Sequence, residues 1–354
     1  MGIFSRKAHA SRSWIHRVLG GHRVAEKVTT LTISVVTANN KQLILDCLRS
    51  IYETTHGLRF EVYVVINDSS DDSEEAIKES FPEVTLITNS EKMGFTHNHN
   101  MVMRRSEGKY ILVLNDDTVI LDGALSKMVD FMEASPQVGI LGCKILNPDG
   151  SLQWSCGKSV SHAFEHFKSG VLRTLLGPFI RDQFYLRTQE VTWVTGACLM
   201  ARAEAIREVG LFDENIIIYF EDGDWCYRMI QAGWKVVFFP HAEIIHYYGQ
   251  TRKKHLARDT FIIYQSRLYF FSKHYSNMTW QLVKMFTVME VGLRYMKTLL
   301  SPENSGSQKK ERAELVDAYK GVLKMTFNAA SLKKTEVKLH RFINKVTPLH
   351  NRQE

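Results

Sequence analysis

The sequence predicts an α/β fold with a mostly parallel central sheet and a helical extension at its C-terminal end. From residue 31 onward, short apolar runs rich in β-branched residues alternate with segments of helical periodicity. Uninterrupted apolar strands separated by helices are typical of a parallel sheet covered on both faces. Beyond about residue 258 the pattern is helical and amphipathic. The length of 354 residues suits one large domain with extensions, or two domains.

The predicted elements follow one another regularly along the chain. The first four strands are the apolar runs 31–36, 60–66, 84–88 and 110–114. Each is followed by a helical segment, at 41–54, 73–80, 96–106 and 122–134. Residues 156–190 are less periodic, which favours a loop or a helical excursion over the sheet. The body is completed by strand 191–200, helix 220–232 and strands 235–239 and 243–246.

Composition and charge divide the chain into three parts. With 7 Pro and 21 Gly among 354 residues, collagen-like and wholly disordered chains are excluded. The net charge is +7, but residues 1–27 and 301–354 each carry +5, so the part between them is net acidic. We therefore predict a basic N-terminal segment over 1–28, an α/β domain over 29–257 and an amphipathic, basic helical region over 258–354.

The location of the basic residues bears on the partners of the protein. A chain that wraps a nucleic acid usually carries its positive charge on the folded body, so no nucleic-acid partner is expected. Basic ends suit an anionic membrane surface, where each Lys or Arg contributes about 1 kcal/mol. They are equally compatible with solvated, soluble tails.

Cysteine spacing and hydropathy indicate the compartment. The five cysteines are odd in number, far apart and without a C-x-x-C pair, which argues against a disulfide framework and a zinc knuckle. A reducing compartment follows. The most apolar segment, 280–300, is interrupted by four charged residues and predicts an amphipathic helix rather than a membrane span. We expect a cytoplasmic protein, either free or lying peripherally on the inner face of the membrane.

Polar side chains follow two of the predicted strands directly. Asn67 and Asp68 come after the second strand, and Asn115, Asp116 and Asp117 come after the fourth. Ligands of open parallel sheets bind beyond the carboxyl ends of the strands. Adjacent carboxylates repel one another unless a cation or hydrogen-bond donors lie between them, and their oxygens suit Mg²⁺ or Mn²⁺. Capped turns into the next helices are the structural alternative.

A second acidic cluster begins the predicted helix 220–232. Glu221, Asp222 and Asp224 stand at its first turn, where they also favour the helix dipole. A carboxylate within reach of a nucleophile's proton can act as a general base, and Asp222 is the candidate. Glu221 and Asp224 could orient hydroxyl groups. His246 ends the last strand and, beside an Asp pair, is a candidate metal ligand.

In their order along the chain, these motifs resemble family 2 glycosyltransferases, and within them the rhamnosyltransferase-like branch. The resemblance covers about residues 30–250. It is carried by the following segments: Asn67-Asp68-Ser-Ser-Asp-Asp-Ser, Met93-Gly94-Phe95 with Asn100, Leu114-Asn115-Asp116-Asp117, Trp193-Val-Thr-Gly196-Ala197, Phe212-Asp213-Glu214, Glu221-Asp222-x-Asp224-Trp225-x-x-Arg228, Gly233-Trp234 and His246. It implies a GT-A fold, a nucleotide-sugar donor, a divalent metal (Mg²⁺ or Mn²⁺) and inversion at the anomeric carbon.

The resemblance also implies roles for individual residues. Asp222 corresponds to the catalytic base, and Asp117 and His246 to metal ligands. Glu221, Asp224 and Trp225 are expected to contact or orient the acceptor. Nucleotide-sugar contacts are expected from the following residues: Thr37, Asn67, Asp68, Asn100, Asn115, Asp116 and Gly196. Two positions depart from the family pattern, since Asn67 replaces an acid after the second strand and Asn115 replaces the first Asp of D-x-D.

The implied reaction moves a sugar, L-rhamnose from dTDP-rhamnose in first place, to a hydroxyl of a glycan or of a polyprenyl-diphosphate-linked saccharide. UDP-sugar donors of galactose, glucose or galactofuranose are the main alternative. Two other classes compete with a transferase. A metal-dependent sugar-nucleotide hydrolase or nucleotidyltransferase would carry a similar acidic cluster, and a non-catalytic nucleotide-sugar-binding scaffold would need no base. A homodimer is compatible with the C-terminal region.

Overall fold

The computed structural model describes residues 29–158, 185–247, 256–301 and 306–328. The strands in these residues are β1 (Leu31–Thr37), β2 (Phe60–Asn67), β3 (Thr85–Asn89), β4 (Tyr110–Asn115), β5 (Thr118–Ile120), β6 (Val138–Leu146), β7 (Cys156–Gly157), β8 (Gln189–Glu190), β9 (Trp193–Val194), β10 (Cys198–Arg202) and β11 (Lys235–His246). The helices are α1 (Lys41–Thr54), α2 (Ser73–Ser80), α3 (Phe95–Met103), α4 (Ala124–Ala134), α5 (Ala203–Val209), α6 (Glu221–Gln231), α7 (Leu256–His274), α8 (Asn277–Leu300) and α9 (Gly306–Phe327). The basic segment predicted at 1–28, most of the excursion predicted at 156–190 and the last residues, 329–354, lie outside the described residues.

A nine-stranded sheet forms the centre of the fold. Its order is β3-β2-β1-β4-β10-β6-β11-β5, and β8 pairs with β11. The pairs along β3-β2-β1-β4 are parallel, as is β6 with β11, whereas β10 is antiparallel to both of its neighbours. Since β5 and β8 are antiparallel to β11, six of the nine strands run in one direction. The predicted α/β fold with a mostly parallel central sheet is confirmed.

Two hydrophobic cores cover the two faces of this sheet. Side chains alternate between the faces of a strand, and β4 follows this rule. Leu112 and Leu114 pack in the core beneath α1 and α4. Ile111 and Val113 pack in the opposite core, where Trp225 is fully buried. Apolar residues at every position of the run are thus explained by burial on both sides.

Strand β6 is not among the strands predicted from the sequence. The run contains Gly139 and Gly142, which weaken strand propensity. The structure shows why both are glycines. A Cβ at Gly139 would lie 2.8 Å from Cβ of Trp234, and one at Gly142 would lie 2.6 Å from Cβ of Val194. Close approach of these two neighbours, rather than a turn, accounts for glycine in the middle of a buried strand.

The two final predicted strands, 235–239 and 243–246, are one strand, β11. A register shift relative to β6 lies between Phe239 and Glu243 and bends it. The predicted strand 191–200 is divided instead into the short β9 and β10, with residues 195–197 between them. These three residues reach the site described below.

Helices α7, α8 and α9 form the C-terminal extension and pack on one another around Tyr264, Val291, Tyr319 and Val322. Helix α7 also contacts the α/β body, where Ser266 donates to the carbonyl of Ile218 (3.1 Å). A helix needs about 20 largely apolar residues to cross a bilayer. Among the described residues, none of the helices meets that requirement.

Candidate active site

A cavity of about 420 Å³ opens at the carboxyl ends of β1, β2 and β4. This is where a sheet of this type is expected to bind its ligand. Its lining includes six of the site residues predicted from the sequence: Thr37, Asn67, Asn115, Asp116, Asp117 and, at the end of β11, His246. The structure thus brings residues from four distant segments to one place.

Strand pairing brings Asp117 and His246 together. Thr118 of β5 is paired with His246 of β11, and the N–H of Tyr247 donates to the carbonyl of Asp117 (2.9 Å). Nε2 of His246 consequently lies 3.1 Å from Oδ1 of Asp117. Both side chains are largely buried. β5, a strand absent from the predicted elements, therefore sets the geometry of the predicted metal ligands.

Gln153 fixes the orientation of the His246 ring. The amide nitrogen of Gln153 donates to Oδ1 of Asn147 (2.9 Å), so its oxygen faces Nδ1 of His246 at 2.6 Å. That oxygen can only accept, which places the ring proton on Nδ1 and leaves the lone pair of Nε2 directed towards Asp117. Nδ2 of Asn115, at 3.2 Å, is a hydrogen-bond donor for this lone pair, and a cation would stabilise the close approach of Nε2 to Oδ1 of Asp117.

The carboxylate oxygens of Asp117 suit Mn²⁺ or Mg²⁺, and of these two the transition-metal ion Mn²⁺ is the better match for an imidazole ligand. In the described parts of the chain, no group of three or more His, Cys, Asp or Glu residues is arranged to hold a metal ion. A cation here would therefore complete its coordination with water or with ligand oxygens, as Mg²⁺ does with substrate phosphates.

Asp116 is oriented by its neighbours and carries an altered pKa. Burial and the adjacent charge of Asp117 raise the pKa of Asp116 to about 6, against the opposing effects of Asn40 and Thr37. Nδ2 of Asn40 donates to Oδ2 of Asp116 at 3.0 Å. Two neighbouring carboxylates with little solvent favour a cationic or hydrogen-bond-donating ligand.

Asp222 is held at the first turn of α6 by backbone groups. Its Oδ2 accepts from the N–H of Gly196 (3.1 Å) and its Oδ1 from the N–H of Gly223 (2.7 Å). The neighbouring Ala197 carbonyl accepts from the N–H of Asn115 (3.0 Å), so Asp222 is linked through residues 196–197 to the end of β4. Burial raises the pKa of Asp222, and these N–H groups limit the rise.

Glu221 lies beside Asp222 and has the more strongly raised pKa. Burial is the main cause and the charge of Asp222 adds to it. Its Oε2 is buried and has no hydrogen-bond partner among the described residues. The two residues before it, Tyr219 and Phe220, have φ of 65° and 68°. Aromatic residues rarely adopt this left-handed conformation, and such strain is concentrated at functional sites.

The predicted nucleotide contacts differ in location. Asn67 lines the cavity. Its side chain binds the loop after β3, because it donates to the carbonyl of Met93 (3.1 Å) and accepts from the N–H of the same residue (2.8 Å). Asp68 is exposed and does not line the cavity. Asn100 does not line it either, since its side chain holds the backbone of Phe212 through two hydrogen bonds of 3.0 Å.

Asp224 and Trp225 lie in the interior. The Asp224 carboxylate is fully buried and binds Nε of Arg228 (2.8 Å), Nζ of Lys273 (2.9 Å) and Nε2 of His274 (2.6 Å). The indole N–H of Trp225 donates to the carbonyl of Gly210 (2.9 Å). Neither residue lines the cavity. Asp224 joins α6 to α7, a contact made with residues about 50 positions later in the chain.

Several residues of the cavity were not predicted. Lys92 and Arg258 supply positive charge, and Tyr219 donates to Asp259 (3.0 Å) at the start of α7. Partial removal from solvent and the charge of Arg258 lower the pKa of Lys92. Nε of Arg258 is buried without a hydrogen-bond partner among the described residues. Lys92 could have been selected from the sequence, because it is a basic residue directly before the Met93-Gly94 motif. Nothing in the sequence connects residue 258 to this site.

The relatives of this chain include bacterial rhamnosyltransferases. N-acetylglucosaminyl-diphospho-decaprenol L-rhamnosyltransferase of Mycobacterium tuberculosis is 28% identical over 234 residues, 58% of this chain and 75% of its own length. Rhamnosyltransferase WbbL of Escherichia coli is 27% identical over 164 residues, 44% of this chain and 61% of its own. The solved mannosyltransferase PcManGT of Pyrobaculum calidifontis, in complex with GDP-Man and Mn²⁺, aligns with a TM-score of 0.48 at 16% identity, covering 91% of this chain and 81% of that one.

The family model described as glycosyltransferase like family 2 matches residues 29–261. This range includes every strand of the sheet, the cavity and the start of α7. The chain therefore belongs to glycosyltransferase family 2 and is a glycosyltransferase.

Proposed function

We propose that the protein is an inverting glycosyltransferase that moves a hexosyl group from a nucleotide-diphosphate donor to a hydroxyl of a glycan or of a polyprenyl-diphosphate-linked saccharide. The observation that supports this most is the link between the two acidic clusters. Asp222 is bonded to Gly196, and the adjacent Ala197 is bonded to Asn115, the residue before Asp116 and Asp117. This link would hold the proposed base and the proposed diphosphate site at the same edge of the sheet, with Asp222 lying behind the residues that line the cavity.

The favoured donor is dTDP-L-rhamnose. Two bacterial relatives bear rhamnosyltransferase names, and one of those names specifies a sugar linked through a diphosphate to decaprenol. Identities of 27–28% leave UDP-linked galactose, glucose or galactofuranose as the alternative. Work on a lipid-linked acceptor would place the protein peripherally at the inner face of the membrane.

In the proposed reaction, Asp222 accepts the proton of the acceptor hydroxyl while that oxygen attacks C1 of the donor sugar. The bond from C1 to the diphosphate oxygen breaks in the same step, so the configuration at C1 inverts and no enzyme nucleophile is needed. Glu221 lies beside Asp222 with its Oε2 buried and without a hydrogen-bond partner among the described residues, and its role in orienting the acceptor stays a prediction. Asp117 and His246 would hold the divalent cation, which acts as a Lewis acid towards the charge of the leaving diphosphate.

The metal site gives a prediction for Gln153, which positions His246 without being a ligand. Replacement by leucine removes the acceptor that holds Nδ1–H, and loss of such an outer contact lowers metal affinity about 10- to 100-fold. Gln153→Leu is therefore expected to weaken Mn²⁺ binding to this extent, measured by the electron paramagnetic resonance signal of free Mn²⁺ in the presence of nucleoside diphosphate. Gln153→Glu keeps an acceptor oxygen and should bind Mn²⁺ nearly normally. Equal affinities for wild type and the leucine variant would show that His246 is not a ligand.

The cations of the cavity give a second prediction. The buried Nε of Arg258 has no partner among the described residues, and a donor diphosphate would supply one. Charge-assisted hydrogen bonds contribute about 1.5–3 kcal/mol. Arg258→Ala is expected to raise the dissociation constant of the donor about 10- to 100-fold, as measured by calorimetry. Arg258→Lys should recover part of the affinity because it keeps the charge. An unchanged constant in the alanine variant would remove Arg258 from the donor site.

The function as a whole is tested by nucleoside-diphosphate release from a panel of dTDP-, UDP- and GDP-sugars, with Mn²⁺ and with chelator. Metal-dependent turnover of one donor, increased by a polyprenyl-diphosphate-linked acceptor, is expected. Turnover that no acceptor increases would favour a sugar-nucleotide hydrolase. Binding of a donor without any turnover would favour the scaffold.

A further inference from the structure

One face of α8 is apolar and exposed. Of the twelve large apolar side chains that are exposed in the described part of the chain, nine lie on this helix. They are Met278, Leu282, Met285, Phe286, Met289, Leu293, Met296, Leu299 and Leu300. At 100° per residue these positions fall within an arc of about 140° and extend along about 33 Å of the helix. We call this surface the α8 face.

The opposite side of α8 is fixed to the protein. Val291 packs with Tyr264 of α7 and Tyr319 of α9. Glu290 accepts from Nη1 of Arg267 at 3.0 Å and from the hydroxyl of Tyr264 at 2.9 Å. The helix is therefore held in place by its inner side. A contiguous exposed patch of this length marks an interaction surface.

Charge indicates what the surface contacts. Arg294 and Lys297 are the exposed charged residues of α8, and Lys284 stacks over the ring of Trp280 at 4.2 Å. The one acid of the helix, Glu290, is engaged with Arg267 on the inner side and with Nε of Arg294 (3.2 Å), and with Lys284 and Lys297 the helix keeps a net positive charge. We propose that the α8 face docks onto an anionic lipid surface, with its apolar side chains in the headgroup–acyl boundary and its cations at the headgroups. Interfacial helices combine these same features.

A second copy of the chain fits the same surface less well. An arc of about 140° is wider than the two-position seam of a helix dimer. Four of the nine apolar residues are Met, whose flexible side chains adapt to a fluid apolar phase.

The α8 face is connected to the cavity through α7. Arg258 and Asp259 at the start of α7 line the cavity, and Arg267 further along the same helix binds Glu290 of α8. Docking of α8 would thus hold the cavity near the lipid surface, where a polyprenyl-linked acceptor lies. This consequence rests on the proposed function, whereas the docking itself does not depend on the sugar or on the chemistry of transfer.

The test is flotation of the full chain with vesicles of phosphatidylcholine alone and of phosphatidylcholine with phosphatidylglycerol. Wild type is expected to float with the anionic vesicles, and added salt should weaken this binding. Met289→Glu/Leu293→Glu should lower the partition coefficient about 100-fold, because two apolar side chains no longer enter the lipid. Leu186→Glu, at an exposed leucine of the α/β body, is the matched control and should float like wild type.

Oligomeric state and activity separate the alternatives. Light scattering without vesicles should give the same mass for wild type and the double variant, and nucleoside-diphosphate release in solution should be equal. The proposal would be overturned if wild type floated with neither kind of vesicle. It would also be overturned if the double variant floated with the anionic vesicles as well as wild type does. A wild-type dimer that the double variant dissociates, without lipid binding, would assign the face to a second copy. Should the double variant not fold, Arg294→Gln/Lys297→Gln must reduce flotation with anionic vesicles.

Discussion

Asp222→Asn is expected to abolish sugar transfer while leaving donor affinity unchanged. The amide has the shape of the carboxylate and retains an oxygen for one of the two backbone N–H groups, but it cannot take up a proton from the acceptor. Loss of a general base lowers turnover about 10²- to 10⁴-fold. The measurement is kcat for transfer at saturating donor, together with the dissociation constant of the donor by calorimetry.

Glu221→Gln is the control for this variant. Burial and the charge of Asp222 raise the pKa of Glu221 well above its ordinary value and so disfavour its charged form, the form in which a carboxyl acts as a base. Because a protonated carboxyl does not act as the base, the amide should reduce kcat much less than Asp222→Asn does. A donor affinity that falls as far as turnover in Asp222→Asn would contradict the assignment of the base.

The raised pKa of Asp222 also has a consequence for the pH profile. Burial disfavours its charged form, so the base is lost to protonation at a higher pH than an ordinary aspartate. In wild type, kcat/KM for transfer should therefore fall on the acid side at a pH above the usual Asp range near 4. An acidic limb at or below pH 4 would argue against Asp222 as the group that titrates.

Asp224→Asn is expected to cause the largest loss of stability. Removal of one partner from a buried ion pair costs about 3–5 kcal/mol, since the remaining charges stay buried without compensation. Here the amide would leave Arg228, Lys273 and His274 around a neutral group. The free energy of unfolding in urea measures the effect. Asp46→Asn is the control, since the Asp46–Arg49 pair is exposed and such pairs contribute about 0–1 kcal/mol.

The stability supplied by Asp224 depends on pH in a defined direction. Burial alone would raise its pKa, but the hydrogen bond from His274 and the charges of Arg228 and Lys273 outweigh burial and hold the pKa well below its usual value. A carboxyl with a lowered folded-state pKa stabilises above its unfolded-state pKa of about 3.9 and loses that contribution as pH falls further. The difference between wild type and Asp224→Asn should shrink below about pH 4. A constant difference down to pH 2 would contradict this account of the ion pairs.

The strand ends could be predicted from the sequence because their signal is local. A buried apolar run followed at once by Asn67, or by Asn115 to Asp117, identifies the edge at which ligands bind. Strand β6 could not be predicted because Gly139 and Gly142 lower its strand propensity. The reason for these glycines is the close packing of Trp234 and Val194, which the sequence does not show.

The contacts that α7 makes could not be predicted. Asp224 was expected to orient an acceptor, yet it binds Lys273 and His274 in the interior. Arg258 enters the cavity from a helix that begins beyond the last strand of the sheet. Both facts depend on how the C-terminal helices pack against the α/β body, and periodicity along the chain contains no information on that docking.

The exposed side of α8 could not be predicted from the sequence either. The spacing of apolar residues over 280–300 predicted an amphipathic helix, and the structure has a helix there. Which side of the helix would face the protein was not evident, because apolar residues such as Val283 and Val291 also occur on the inner side. Only the packing of α8 on α7 and α9 leaves the methionine-rich side exposed.

The configuration of the transferred sugar tests the central claim most directly. The measurement is the anomeric configuration of the product by NMR, made with a ¹³C-labelled donor of the sugar that the protein turns over and with a polyprenyl-diphosphate-linked acceptor. A single displacement with Asp222 as base predicts a product inverted at C1 relative to the donor. A product with retained configuration would require a different mechanism and would contradict the assignment of the active site.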